Sequence, residues 1–167
     1  DEAARFDVVA QLNTFLAGRL APAVRDAYEG RARHAFRMRH GHEPRDRREV
    51  AEAMSRDPAW RTWSLVRRNT MEMRQHAGRQ LVGRQAEALR DRARALNEGS
   101  ANLHLDASLD VPRYVAAMDT HLMRGGHAAE RIQDDVANPA NYDSGFFATV
   151  GGMAGPWNDA AGRALAA

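Results

Sequence analysis

Residues 58–97 read PAWRTWSLVRRNTMEMRQHAGRQLVGRQAEALRDRARALN, and no strong helix stop interrupts them. Asp57 followed by Pro58 is typical of a helix start, because Asp caps free backbone N–H groups and proline fits the first helical position. A stripe at roughly helical spacing follows, formed by Trp60, Trp63, Val66, Thr70, Met73, Ala77, Leu81, Ala88 and Leu96. Forty helical residues span about 60 Å, whereas a compact domain of this size has a radius of gyration of about 15 Å. We therefore predict one long helix that either projects from the domain or breaks at Gly78 or Gly83.

Helical spacing also characterises the residues that precede this stretch. Apolar residues at helical intervals predict a first helix over residues 3–17, which Gly18 and Pro22 should end. A second helix is expected from Pro22 to about residue 40, with Gly41 as its C-terminal stop. The first hundred residues are therefore predicted to be helical almost throughout.

A capping signal and a change of composition complete the expected layout. Asp46 and the acid three residues later have the spacing of a capping box, which predicts a short helix towards Met54. Residues 135–143 contain Pro139 and two asparagines, and we expect a loop there. The prediction is a mainly α fold with a helical region over residues 1–99 and a loop-rich segment over residues 100–167.

The composition excludes several classes of protein. The 167 residues suit one domain. The sequence contains no run of 18 apolar residues, so no membrane span is predicted. The absence of cysteine removes disulfide scaffolds, thiolate zinc sites and cysteine nucleophiles. All 24 basic residues are arginine, so Schiff-base and P-loop lysines are absent. No signal peptide is evident at the N-terminus, and we expect a cytoplasmic protein.

Charge is distributed unevenly along the chain. Residues 1–97 hold 20 Arg against 13 acids, and residues 98–167 hold 4 Arg against 9 acids. The seven arginines between residues 31 and 48 suggest a phosphate-binding face. Aromatic side chains do not alternate with them, so the pattern favours a solvated helix face or an acidic intramolecular partner over nucleic acid. An apolar stripe on a projecting helix would need cover, and we expect a homodimer.

The most unusual segment is Asp119-Thr-His121-Leu-Met-Arg124-Gly-Gly-His127. A carboxylate two residues from a histidine can orient the ring or share a substrate proton. Arg124 can hold an anion through two parallel hydrogen bonds. A polar turn with solvated side chains is the alternative. The histidine spacing matches no standard zinc pattern, so we predict no metal ion.

Several short motifs in the second half of the chain carry a family resemblance. They are Pro112-Arg-Tyr114, Asp119-Thr-His121-Leu-Met123, Gly125-Gly126, Asp134-Asp-Val136, Tyr142-Asp-Ser-Gly145 and Gly155-Pro-Trp-Asn-Asp159. In this order they resemble the region just before the catalytic domain of a bacterial family of class I S-adenosylmethionine-dependent methyltransferases. Residues 57–63 with Met71-Glu-Met73 are similar to the preceding helix of that family.

The resemblance implies a helical region that covers the mouth of a catalytic domain and helps to form its substrate pocket. It implies His121 as a general base and Asp119 as its orienting partner. The implied contacts to a small-molecule substrate come from Arg124, Tyr142, Tyr114 and His127. The cofactor S-adenosylmethionine would belong to the parent protein, and we expect no cofactor on this chain, which would be inactive alone.

Two departures from the family pattern, and an alternative function, accompany this interpretation. Arg124 stands where a proline is expected, and His127 stands where tyrosine is common. The chain stops at Ala167, before the cofactor-binding strand of the family would begin, so we expect a fragment that pairs with a catalytic methyltransferase domain. The alternative is a self-contained helical module for oligomerisation or protein interaction.

Overall fold

The computed structural model describes residues 2–98, 106, 108–117, 121–123, 135–150, 154–155 and 159–166. Within these ranges all regular secondary structure is helical, which confirms the mainly α prediction. The α-helices are α1 (Glu2–Phe15), α2 (Ala21–Ala27), α3 (Arg33–His40), α4 (Arg47–Met54), α5 (Pro58–Asn97), α6 (Arg113–Ala116), α7 (Ala137–Val150) and α8 (Ala160–Ala166).

The long helix α5 runs without interruption from Pro58 to Asn97. Asp57 caps its start by accepting a 2.8 Å hydrogen bond from the backbone N of Ala59. The predicted long helix after Pro58 is therefore confirmed, and the alternative of a break at Gly78 or Gly83 is not what the structure shows. A helical glycine costs only about 1 kcal/mol relative to alanine, and a helix of this length contains enough favourable residues to absorb that cost.

The predicted end of the first helix at Gly18 and Pro22 is wrong. Two five-residue π-helical turns, Leu16–Leu20 and Tyr28–Ala32, connect α1, α2 and α3 into one helical segment. In the first turn the backbone N of Ala21 reaches back five residues to the oxygen of Leu16. Proline normally interrupts the α-helical hydrogen-bond pattern, and a π turn directly ahead of Pro22 changes that pattern where the N–H is missing.

The segment stops and restarts where the sequence predicted. Gly41 has a φ of 77°, a left-handed conformation that glycine adopts at little cost, and its N–H bonds to the oxygen of Arg37. The Asp46 carboxylate then accepts hydrogen bonds from the backbone N atoms of Arg48 and Glu49 at the start of α4. Both boundary predictions are confirmed.

The chain divides into two compact units, Val8–Thr70 and Asp1–Asp7 together with Met71–Ala167. The core of the first unit contains Ala27, Ala32 and Met54. Partly buried apolar residues pack around them: Val24, Tyr28, Ala53, Ala59 and Trp60. The Arg31 guanidinium makes two hydrogen bonds, 2.7 and 2.8 Å long, to the Asp57 carboxylate. Asp57 therefore both caps α5 and ties its first turn to the preceding helices.

The second unit pairs α5 with α7. Residues 137–143 begin α7 rather than forming the predicted loop. Pro139 is tolerated because it lies in the first turn, where backbone N–H groups have no partner within the helix. Near the chain start, Glu2 forms an ion pair with Arg84, and Arg5 donates to Gln80. None of the helices in the described ranges is both long and apolar enough to cross a membrane.

Candidate functional site

Three consecutive residues, His121 to Met123, lie against α5 and α7 in the second unit. The backbone oxygen of His121 accepts a 2.6 Å hydrogen bond from the side-chain amide of Gln75 on α5. Leu122 has a φ of 60°, a left-handed conformation that costs a branched residue about 1–2 kcal/mol. Met123 is 2% exposed and holds the segment in place through burial. The surrounding contacts thus impose a strained backbone directly beside His121.

Gln75 connects this segment to α7 as well. Its side chain is 2% exposed, and its Oε1 accepts a 2.5 Å hydrogen bond from Nδ2 of Asn141. The other amide atom of Asn141, Oδ1, lies so close to Gly78 that a Cβ atom there would overlap it. Gly78 is thus required for the close approach of α5 and α7, and one buried amide links both helices to His121.

The imidazole of His121 packs against an aromatic pair on α7. Its ring meets Tyr142 edge to face, with centroids 5.2 Å apart and planes at 86°. Tyr142 stacks on Phe146 at 5.8 Å. The Arg74 guanidinium, almost fully buried, lies 5.8 Å from the centroid of the Tyr142 ring. This arrangement places an imidazole, a phenol and a guanidinium within one small region.

The glycine of the Tyr142-Asp-Ser-Gly145 motif has a structural role in this region. A Cβ atom on Gly145 would lie 2.7 Å from Nη1 of Arg74 and 2.9 Å from its Cδ. The Arg74 side chain therefore crosses α7 at a point where only hydrogen projects from the backbone. The same motif thus supplies the Tyr142 ring, which contacts the Arg74 guanidinium, and Gly145, which leaves space for the Arg74 side chain.

The predicted site residues have different outcomes. His121 and Tyr142 are in contact, as described above. Tyr114 is 81% exposed in α6. Asp119, Arg124 and His127 lie outside the described residues, and their predicted roles stay predictions.

Sequence reasoning missed Gln75, Arg74 and Asn141. Arg74 and Gln75 lie between Met73 and Ala77 of the predicted stripe, so the stripe gave no signal that they are buried. Asn141 carried no signal either, since it was assigned to a loop.

The tryptophan pair at the start of α5 belongs to the first unit. Trp60 and Trp63 stack with centroids 5.2 Å apart, and Arg67 lies over the Trp63 ring. Trp60 also packs against the core of that unit. Met73, which belongs to the predicted stripe of α5, is 43% exposed.

The arginine-rich stretch 31–48 is largely engaged with nearby acids. Arg33 and Arg37 both contact Glu43, and Arg45 makes a 2.9 Å ion pair with Glu49. The sequence favoured a solvated helix face or a partner in the acidic half of the chain. The acids observed, Glu43 and Glu49, instead lie within the arginine-rich stretch or directly beside it. Several of these guanidinium groups are therefore matched without an external anion.

Comparison with known proteins adds no relative. The chain matches no protein-family model, no curated protein and no solved structure. Among the residues with described positions, no three His, Asp or Glu side chains come close enough together to hold a metal ion. The candidate function therefore depends on the sequence motifs and on the geometry around His121.

Proposed function

We propose that the chain is the substrate-recognition region of an S-adenosylmethionine-dependent methyltransferase. The observation that carries the proposal is the contact between His121 and Tyr142. These residues belong to two separate motifs of the methyltransferase resemblance, and twenty intervening residues separate them in the sequence. Contact between the two motifs is expected if both face one substrate.

The strained backbone at Leu122 supports the same proposal. Left-handed conformations of non-glycine residues cluster at functional sites, because the surrounding structure must hold them there. Here Gln75 and Met123 supply that support on either side of the strained residue. A purely solvated polar turn would need no such contacts.

In the proposed reaction the chain positions the methyl acceptor, and the cofactor is held by a catalytic methyltransferase domain. Methyl transfer mainly requires proximity and in-line orientation, and a general base helps when the acceptor must lose a proton. His121 would take that proton, with Asp119 orienting the imidazole. Tyr142, Arg124, Tyr114 and His127 would contact a small-molecule substrate. A cytoplasmic location accompanies this proposal.

The first test is the coding sequence downstream of Ala167. A strand followed by an acidic, glycine-rich loop supports the proposal, and an immediate stop codon contradicts it. The intact product should transfer a labelled methyl group from S-adenosylmethionine. In that protein His121→Ala should lower turnover roughly 100-fold or more.

A control variant and a stability measurement separate catalysis from folding. His34→Ala changes an exposed histidine of the first unit, which contacts Arg37, and should leave turnover unchanged. His121→Ala should lower the unfolding free energy by about 0.5–1.5 kcal/mol, the value of one edge-to-face aromatic pair. Full turnover in a destabilised His121→Ala protein would leave His121 with a structural role only.

The alternative, a helical module for oligomerisation, is favoured by exposed leucines on α5. Leu96 is 70% exposed and Leu65 is 62% exposed. Leu81 of the predicted stripe is partly buried, and so is Leu89. Sedimentation equilibrium should show a dimer that weakens in Leu96→Gln. A monomer at high concentration would remove this alternative.

A further inference from the structure

A cavity of about 310 Å³ lies between α5 and the first turn of α7, within the second unit. The wall on α5 consists of Val82, Gly83 and Ala86, with Arg79 at one end. The opposite side contains Asp135, Ala137 and Asn138. This volume is at the lower end of the range of small-molecule sites, about 300–1,000 Å³, so a compact ligand would fit.

The cavity exists because small residues line the facing helices. A Cβ atom built on Gly83 would have no heavy atom within 4 Å apart from its own chain neighbours. Ala86 and Ala137 add only methyl groups. The apolar part of the cavity is therefore open, and a larger side chain at residue 83 would occupy it.

The two charged side chains of the cavity, Asp135 and Arg79, differ in whether they have hydrogen-bond partners. Asp135 accepts a 2.8 Å hydrogen bond from the backbone N of Ala137, so its carboxylate caps the start of α7. Arg79 is exposed and makes no hydrogen bond or ion pair with any residue of the described ranges. The Arg79 guanidinium thus has no partner in the described ranges and is available to a ligand, whereas the Asp135 carboxylate keeps its charge but is held at the start of α7.

We propose that this cavity binds a small ligand with an apolar body of one or two rings and a single anionic group, which pairs with Arg79. The apolar walls would take the rings, and the guanidinium would take a carboxylate or similar anion. The cavity begins one helical turn beyond Gln75 on α5 and one turn before Asn141 on α7. The binding site is argued from the cavity alone and does not require the methyl-transfer proposal.

The test uses calorimetric titration of the 167-residue chain with 2-naphthoate. We expect saturable one-to-one binding, with the neutral amide 2-naphthamide binding about three- to fivefold more weakly, as an exposed ion pair would produce. Arg79→Gln should remove this difference, so that both probes bind equally. Arg92→Gln, on the exposed surface of the same helix, should retain it.

A second pair of variants tests the position of the apolar body. Gly83→Leu should weaken both probes by tenfold or more, since the new side chain fills the cavity. Gly162→Leu, at another glycine with open space around it, should bind both like the wild type. Circular dichroism checks that each variant folds, and Ala86→Leu provides a second way to fill the cavity if Gly83→Leu does not fold.

Three results would overturn the proposal. They are absence of saturable 2-naphthoate binding, unchanged affinity in both cavity-filling variants, and tighter binding of the cationic analogue 2-naphthylmethylamine. The last would mean that Asp135 rather than Arg79 sets the ligand charge. Because no methyl transfer is measured, failure here is distinct from failure of the methyltransferase proposal.

Discussion

The side-chain amide of Gln75 donates a 2.6 Å hydrogen bond to the backbone oxygen of His121, 46 residues further along the chain. Gln75 is almost fully buried, and its oxygen accepts from Asn141 at the same time. A long helix therefore fixes the segment around His121 through one amide, which also holds α7. The Gln75 amide thus supports the His121 backbone together with the burial of Met123.

Replacing Gln75 with leucine should destabilise the second unit. The change keeps the volume but leaves the His121 oxygen and the Asn141 amide without their partner, and each stranded buried group costs about 1–3 kcal/mol. We expect a loss of about 2–4 kcal/mol in urea denaturation. The control Gln85→Leu, on the exposed surface of α5, should change stability by less than about 0.5 kcal/mol. Equal stability of the two variants would contradict the buried bridge.

Alanine at two glycines of α5 should have opposite effects. Gly83→Ala should stabilise by up to about 1 kcal/mol, because the new methyl meets no neighbour and alanine favours helix. Gly78→Ala should destabilise by about 1–3 kcal/mol, because the methyl overlaps Asn141 and forces the helices apart. Thermal unfolding of both variants checks the signs. Stabilisation by both would mean that α5 and α7 do not approach as described.

Asp57→Asn should lower stability at neutral pH and have little effect in acid. Burial alone would raise the pKa of Asp57, but the hydrogen bonds from Arg31 and from the Ala59 backbone lower it below its usual value. The stabilisation is therefore present above the unfolded pKa of about 3.9 and is lost as pH falls through the lower folded pKa. We expect Asp57→Asn to cost about 1–2 kcal/mol at pH 7.

Urea denaturation at pH 7 and in strong acid measures this dependence. The difference between wild type and Asp57→Asn should shrink as Asp57 becomes protonated. Asp26→Asn, on the exposed surface of the same unit, should have little effect at either pH. A difference that stays constant with pH would show that the Arg31 charge pair does not contribute.

Glu49 should titrate far below an ordinary glutamate. Hydrogen bonds from the Arg45 side chain and from the Arg45 backbone N lower the pKa of Glu49 to about 2. Arg45→Gln should raise that pKa towards 4.3, but not fully, because the backbone N–H remains. Carboxyl ¹³C NMR titration follows the change. Arg47→Gln should leave the value near 2, and an ordinary pKa in the wild type would contradict the contact.

Local signals determined most of the helix boundaries near the middle of the chain. Asp46, Gly41 and Asp57 act within their own turn, through caps and a left-handed C-terminus, and the sequence identified all three correctly. Pro22 was misjudged as a helix stop, and Pro139 was misjudged as a loop residue. The effect of a proline depends on whether its missing N–H would have made a hydrogen bond within the helix. A π turn precedes Pro22 and changes the hydrogen-bond pattern there, and Pro139 lies in the first turn of α7, where the N–H groups have no helical partner.

Some residues of the candidate site were also identified from the sequence, and others only from the structure. Sequence alone selected His121 and Tyr142, because unusual polar segments and family motifs are visible in one dimension. Only the tertiary structure revealed Gln75, Gly78 and Asn141, whose importance comes from helices packed so closely that a methyl group would not fit. Composition and periodicity determine which face of a helix is buried, whereas the partner of each buried polar group is decided by atoms distant in the sequence.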